Sequence, residues 1–463
     1  MSKRLILIFA LAFVLGISAY TYAEVQNVKV SGDLTIRAIT RDNMDLTGGT
    51  SPSSTSTVDE GSWLMSTVRL RLDADLTDNV AATVRLLNER DWDGEGKGTP
   101  ARDDIDLDLA YVTVRDFLDS PLTLTLGRQE LRFGNGMIIA DPDTPLYSHG
   151  IGTTPGSVDI VAMDLSARKS FDALRATLDL APWVVDAFYA KIDEANINRN
   201  DDIDLYGINA QYDFGVNNAI GELYLFVKDT GGSANATSNK AAKIYNLGGR
   251  TSVGPFETLP LILQAELAHQ FGNVAPSSVL MYMNPTPIYH NSGHRDAWAT
   301  MLSATMLLPP RETPSSLTLT YNYFSGDKKV DGRCKAWDIM YYDLGNVGSV
   351  DAALFGISNL HLVSLVGTTK IMPDLDVDAR LRYSHYLWDK KYPAGSQAVG
   401  VYSNALMTDK REIGDTLELD LNYAYTEDVS FGFNTGVFFP GDSFDSSNDS
   451  DIYQVMGTMK VTF

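Results

Sequence analysis

The chain has 463 residues, with 37 Lys and Arg against 59 Asp and Glu, and a formal charge of −22 at pH 7. That acidic balance argues against nucleic acid as a partner, and 44% hydrophobic residues is too few for a bundle of membrane-spanning helices. The single Cys334 rules out an internal disulfide, and no Cys-x-x-Cys-His haem motif accompanies it.

The first feature in chain order is a secretory signal. Lys3 and Arg4 precede an apolar run, Leu5 to Ile17, and Thr21-Tyr22-Ala23 offers a cleavage site before Glu24. The run is too short to span a bilayer. Residues 1–23 are therefore expected to be removed, leaving 24–463 as one unit whose charge, without Lys3 and Arg4, is −24. No later stretch approaches a transmembrane helix, so an exported chain with membrane character has to cross with strands. The length would permit two or three soluble domains, yet no Pro- or Ser-rich linker interrupts the pattern.

From Val28 onward apolar and polar residues alternate. Val28, Val30, Gly32, Leu34, Ile36 and Ala38 oppose Lys29, Ser31, Asp33, Thr35 and Arg37. Next, Val68, Leu70, Leu72, Ala74 and Leu76 oppose Arg69, Arg71, Asp73 and Asp75; Val80, Ala82, Val84 and Leu86 oppose Thr83, Arg85 and Glu89. Charged residues on the inner face would ruin a sandwich core. They suit the wet lumen of a transmembrane barrel.

The pattern predicts an all-β, single transmembrane antiparallel barrel of about 18 strands. The expected spans are 28–40, 63–76, 80–90, 105–115, 121–131, 171–180, 183–192, 203–214, 220–228, 244–254, 260–271, 296–308, 315–325, 360–369, 375–388, 412–425, 428–439 and 452–463. Long connections, such as 41–62, 132–170 and 326–359, alternate with short ones, such as Thr77-Asp78-Asn79 and Ala181-Pro182. Short periplasmic turns and long external loops give that rhythm. The last stretch, Tyr453 to Phe463, is expected to pair with the Val28 strand and remove the sheet edge, and insertion machinery is expected to read its terminal Phe463. Trp63, Trp92, Trp388 and Trp183 sit at strand ends, where interfacial girdles form. The acidic stretch Asp445 to Asp451 reads as solvated, or as a place where a divalent cation bridges to lipopolysaccharide.

Several stretches resemble the alginate-export family of outer-membrane porins. They are Leu126 to Leu131 with Phe133 to Gly136, Arg168 to Arg175 with Val185 to Phe188, Tyr321 to Asp327, Tyr383 to Trp388, and Gly414 to Asp420 with Phe438 to Asp442. They keep their order over most of the chain. The resemblance implies an 18-stranded barrel, acting as a monomer in lipid and lipopolysaccharide, that passes an anionic polysaccharide or a related small solute.

The candidate pore-lining residues are Arg37, Arg69, Arg71, Arg85, Arg128, Glu130, Arg175, Arg380 and Arg382. Arginine keeps its charge and presents fixed donors to carboxylates. Asp33, Asp73, Asp75, Glu89, Asp376, Asp378, Glu418 and Asp420 share the inward phase, so a ladder of cross-strand ion pairs is the rival reading. Leu122, Leu124 and Leu126 would put Arg128 and Glu130 on the lipid side; a bulge near Gly127 is expected to turn both inward. The 132–170 connection carries Met137, Ile138, Ile139 and Leu146, which an external loop in water does not need. It is expected to fold into the lumen and narrow it.

No cofactor or metal is indicated. The alternatives to a channel are an outer-membrane enzyme and a structural barrel sheathing a partner protein. The six histidines, His149, His269, His290, His294, His361 and His385, form no nucleophile–base set: His385 with Ser384, and His269 with Glu266, point to opposite faces.

Overall fold

The structure, a computed structural model, describes residues 27–44, 46, 60–92, 105–144, 163–193, 202–231, 242–274, 279–283, 286–289, 293–309, 314–327, 333–354, 356–392, 396–397, 407–447 and 449–463. The 1–23 segment lies outside them. In chain order the wall strands are β1 (Asn27–Asp42), β2 (Glu60–Thr77), β3 (Val80–Asp91), β4 (Asp106–Val114), β5 (Leu122–Glu130), β6 (Ser170–Leu180), β7 (Trp183–Asp193), β8 (Ile203–Asp213), β9 (Ile220–Thr230), β10 (Ala242–Val253) and β11 (Leu261–Val274). Short strands β12 (Val279–Met283) and β13 (Thr286–Tyr289) form a separate small sheet with β19 (Ser396–Gln397). The wall continues with β14 (Gly293–Leu308), β15 (Ser315–Phe324), β17 (Leu360–Met372), β18 (Val377–Trp388), β20 (Glu412–Ala424), β21 (Val429–Pro440) and β22 (Ile452–Thr462). A two-residue stub, β16 (Arg333–Cys334), lies parallel on β14.

The eighteen wall strands pair antiparallel, each with its chain neighbours, and β1 also pairs with β22, so no edge is left. Closure runs from Asp33 opposite Thr462 to Asp42 opposite Tyr453. Beyond it, Gly32 and Phe463 exchange both backbone hydrogen bonds, at 2.8 and 3.0 Å. A Cβ on Gly32 would stand 2.7 Å from the Phe463 ring and 2.6 Å from the Arg69 carbonyl. The seam therefore needs glycine for close approach.

The period-2 reading of the outer face holds. Val30, Val68, Leu70, Leu126, Leu174, Leu319, Leu365 and Leu417 are all exposed on it, as lipid-facing residues of a barrel are. No helix among the described residues is long and apolar enough to cross a membrane.

Two expectations need correction. Trp183 stands outward beside Tyr212, and Trp298 is also exposed, but Trp388 is buried in the interior cluster. Trp63 packs beside Ile39 and Met65 under the Arg41 guanidinium. Their strand phase, not their position at strand ends, decides which side they serve. The inner face is also not charged all round. From β6 to β15 it carries Ala173, Phe188, Ala190, Leu205, Phe226, Ala297, Ala299 and Phe324, all buried. That half of the wall is apolar because two loops pack on it.

Candidate functional site in the lumen

The first of these loops follows β5. Phe133, Met137, Ile138 and Ile139 are buried in the interior cluster, with Ile139 fully so; Leu146 lies outside the described residues. Aromatic stacking seats the loop: the Phe133 ring lies 5.1 Å from that of Phe188 and 5.3 Å from that of Phe226. The Gly134 amide donates to Glu222 at 3.0 Å and the Asn135 amide to Glu266 at 2.8 Å. The return of the same loop is held on the opposite wall. There Arg41 of β1 grips Asp164 at 2.6 Å, and Glu89 of β3 accepts from Ser166 and from the Ala167 amide. The loop's described ends therefore attach to opposite sides of the barrel.

The second loop joins β15 to β17 and contains a one-and-a-half-turn helix, α1 (Ser349–Leu354). It pairs with the first loop through backbone hydrogen bonds. The Tyr341 amide donates to the Ile138 carbonyl (3.0 Å), the Ala140 amide to the Tyr341 carbonyl (2.8 Å), and the Asp343 amide to the Gly136 carbonyl (2.9 Å). Paired backbone inside a barrel satisfies groups that would otherwise be stranded. Asp338 fastens this loop to the wall. Its amide and carbonyl exchange hydrogen bonds with the Gln270 side chain, both at 2.8 Å, and Lys228 stands 3.2 Å from its carboxylate. Burial would raise its pKa, but Lys228 and Arg295 outweigh burial and hold it down at about 2. At the far end, the Ser349 and Val350 amides donate to Glu418, each at 3.0 Å, and Gln454 donates to the Ser349 hydroxyl at 2.6 Å. Burial pushes the Asp351 carboxyl up.

The sequence candidates divide by partner. Arg69 pairs with Asp33 (2.9 Å), Arg71 with Asp73 (2.8 Å), Arg175 with Asp186 (2.8 Å), and Arg85 with Asp108 and with Glu130 (2.6 Å to the latter). Three inward arginines have no carboxylate at ion-pair distance among the described residues. Arg37 donates only to the Thr67 hydroxyl, at 3.1 Å. Arg382 donates to the Asn346 carbonyl, at 3.2 Å. Arg380 sits beside Arg382 in phase on β18 with no hydrogen-bond partner among the described residues. The polar inner wall of β18 to β22 and β1 to β3 thus also holds the plug, through Arg382, Glu418, Gln454, Arg41 and Glu89.

Arg128 differs from expectation. Gly127 takes a φ of +120°, but the register passes through it unbroken, with Arg128 opposite Asp172 and Leu126 opposite Leu174. The adjacent pair, Gln129 and Phe171, is buried. Arg128 therefore shares the outer face with Leu126 and Leu174. Its charge is met near the strand end by Asp172, at 2.7 Å. The register break in this region lies between Arg85 and Leu86 of β3, against β4. Glu130 ends at Arg85.

Sequence reasoning missed Asp338, Glu222, Glu266, Gln270, Glu418 and Gln454 as anchors of the plug. All but Asp338, which sits on the loop itself, are inward polar residues of wall strands; the signal was a carboxamide or carboxylate set among inward apolar neighbours. Among the described residues one group has metal-ligand spacing, His385, Glu412 and Asp415. It lies on the outer face, not in the lumen. His269 also faces outward, stacked on Trp298, while Glu266 is buried inside.

A family model described as alginate export matches residues 28–457. None of the curated proteins matches the chain closely enough to name a relative. Solved outer-membrane porins share its fold. Pseudomonas aeruginosa OccK8 (OprE) is similar at a TM-score of 0.55 and 11% identity, with 95% of this chain and 98% of that one covered. Pseudomonas aeruginosa OccK2 (OpdF), solved in complex with glucuronate, gives 0.54 and 13%, covering 95% and 99%. Acinetobacter baumannii OccAB1 gives 0.54 and 11%, covering 96% and 99%.

Proposed function

The chain belongs to the alginate export family, and on that premise we propose that it passes anionic sugars of the uronate class, single or linked as in alginate, by diffusion. The coarser statement is plain: it is an outer-membrane channel, and its family and fold relatives are channels rather than enzymes. One observation carries the finer reading. Arg37 and Arg380 face the lumen and, among the described residues, neither has a carboxylate at ion-pair distance, whereas Arg382 is buried beneath the plug. A guanidinium fixed in a narrow, partly dehydrated passage attracts a sugar carboxylate and leaves neutral sugars indifferent. The glucuronate held by the OccK2 barrel supports this class of solute. In this reading residues 1–23 direct export and are removed, the insertion machinery reads the β22 strand, and the barrel works as a monomer in lipid and lipopolysaccharide.

The test is a single-channel recording in a planar bilayer with glucuronate, and then short mannuronate oligomers, added to one side. Uronates should interrupt the current in a dose-dependent way, and glucose should not. Equal block by glucose, or none by any uronate, removes the assignment.

A further inference from the structure

The lumen leaves one built feature of the molecule unexplained, and it lies on the outside. A groove of about 310 Å³ runs over β15, β17 and β18, lined by Tyr321, His361, Val363, His385, Leu387 and Arg411. Val363 shares the lipid-facing phase of Leu365, and Tyr321 that of Leu319, all on the outer face. The lining is almost wholly apolar below its mouth. Both ring polar groups nearest it are already engaged, since Tyr321 Oη lies 2.9 Å from His361 Nδ1 and His385 Nδ1 lies 2.8 Å from Asp415.

Arg411 closes the extracellular end. Its Nε donates to the Trp388 carbonyl at 2.8 Å and its Nη2 to the Asp389 carbonyl at 3.2 Å. Two carbonyls hold the guanidinium still without neutralising it. No carboxylate pairs with it among the described residues, and the side chain is exposed. Three other cations on the outer face near this level are paired instead. Arg128 is paired with Asp172 (2.7 Å), Lys191 with Asp202 (2.7 Å) and Lys243 with Asp229 (2.6 Å). Lys391 and Lys410, both exposed, flank Arg411 on the two arms of the same connection.

An immobile cation above an apolar furrow on a lipid-facing wall is complementary to a chain with a charged head. We propose that this groove seats one acyl chain of a phosphate-bearing outer-leaflet lipid, with its phosphate on Arg411. The height agrees: every lining residue lies towards the end of its strand that meets the long external loops, the level of the outer headgroups. A phosphate takes two parallel N–H bonds from a guanidinium, and Arg411 is already oriented, so little side-chain entropy is lost on binding. The inference does not rest on which solute crosses the lumen.

The test is native mass spectrometry of the folded barrel in detergent, incubated with bisphosphorylated, six-chain lipid A. Wild type should retain one lipid. Arg411→Gln removes the cation, and Val363→Trp fills the groove without touching it. Each should lower occupancy about tenfold, the loss expected for one charge-assisted contact. Both variants should keep the heat-modifiable band and the wild-type conductance, because the groove lies outside the lumen. Millimolar inorganic phosphate should not displace the lipid; displacement would mean the head alone binds, against the proposal. Equal occupancy in all three proteins overturns it. So does loss of wild-type occupancy on adding EDTA, which would assign the hold to a divalent cation at His385, Glu412 and Asp415.

Discussion

Replacing Arg37 and Arg380 together with Ser should move the channel's ion preference from anions towards cations. Neither guanidinium has a carboxylate partner at ion-pair distance among the described residues, so each removal subtracts a positive charge that no ion pair holds. A unit charge at about 4 Å from a passing ion is worth about 1 kcal/mol in water and about 4 kcal/mol at the effective dielectric of a protein surface. The passage is water on one side and wall on the other, so the lower figure is the safer one. Two charges then amount to about 2 kcal/mol, or about thirtyfold in the partition of an anion, and they disfavour a cation by as much. Salt screens this over about 10 Å at 0.1 M, so the shift should shrink as ionic strength rises. The assay is the reversal potential across a tenfold KCl gradient, read at low and high total salt. The control removes a neutral pair, Arg71→Ser with Asp73→Ser, whose charges already meet at 2.8 Å. If that control moves the potential as far as the double arginine variant does, unpaired charge is not what selects, and the reasoning fails.

Three further outcomes are expected. Replacing residues 338–354 with a Gly-Ser tether should raise single-channel conductance, because it removes the half of the plug that pairs with Ile138 and Ala140; an unchanged value would mean that the passage does not run beside it. The Asp338 carboxyl is held at about 2 in the folded chain, below the unfolded value of about 3.9. Its anchoring is therefore complete above about pH 4 and fades as pH falls towards 2: open-channel noise should rise across that window in wild type, and Asp338→Asn should be noisy already at neutral pH, with equally quiet traces refuting the anchor. Gly32→Val, which drives a side chain into the Phe463 ring and the Arg69 carbonyl, should lower the heat-modifiable folded band in outer membranes, as deleting Phe463 should; normal insertion of both would show that the seam tolerates a gap.

The wall was legible because one physical rule governs it everywhere: lipid on one side forces apolar residues at every second position. Val68, Leu70 and Leu72 can be read with no knowledge of their neighbours. The lumen obeys no such uniform rule. Phe188 and Ala190 flank Tyr189, so β7 is apolar on both faces, and such a strand must be covered on both sides. That signal was present and was overlooked beside the charged strands. The ion pairs needed register as well as phase, since Asp33 meets Arg69 only once β1 and β2 are aligned. Arg128 was placed on the lipid side by its phase and argued away from it by the cost of a charge in lipid. Asp172 directly opposite, at the strand end, removes that cost.

The way the two plug loops meet has a consequence for how the molecule forms. The wall grows from neighbours joined by short turns such as Asp78-Asn79, whose loop-closure entropy is small. The plug instead joins Asn346 to Asn135, 211 residues apart, and can order only when the eight intervening wall strands have brought those positions to one place. Late, long-range contacts of this kind form after the local ones and open before them. The barrel therefore carries two layers of cooperativity, a durable shell and a looser interior. A force or denaturant too weak to part any strand pair can still release the interior, and such a molecule would change its permeability well before it lost its shape.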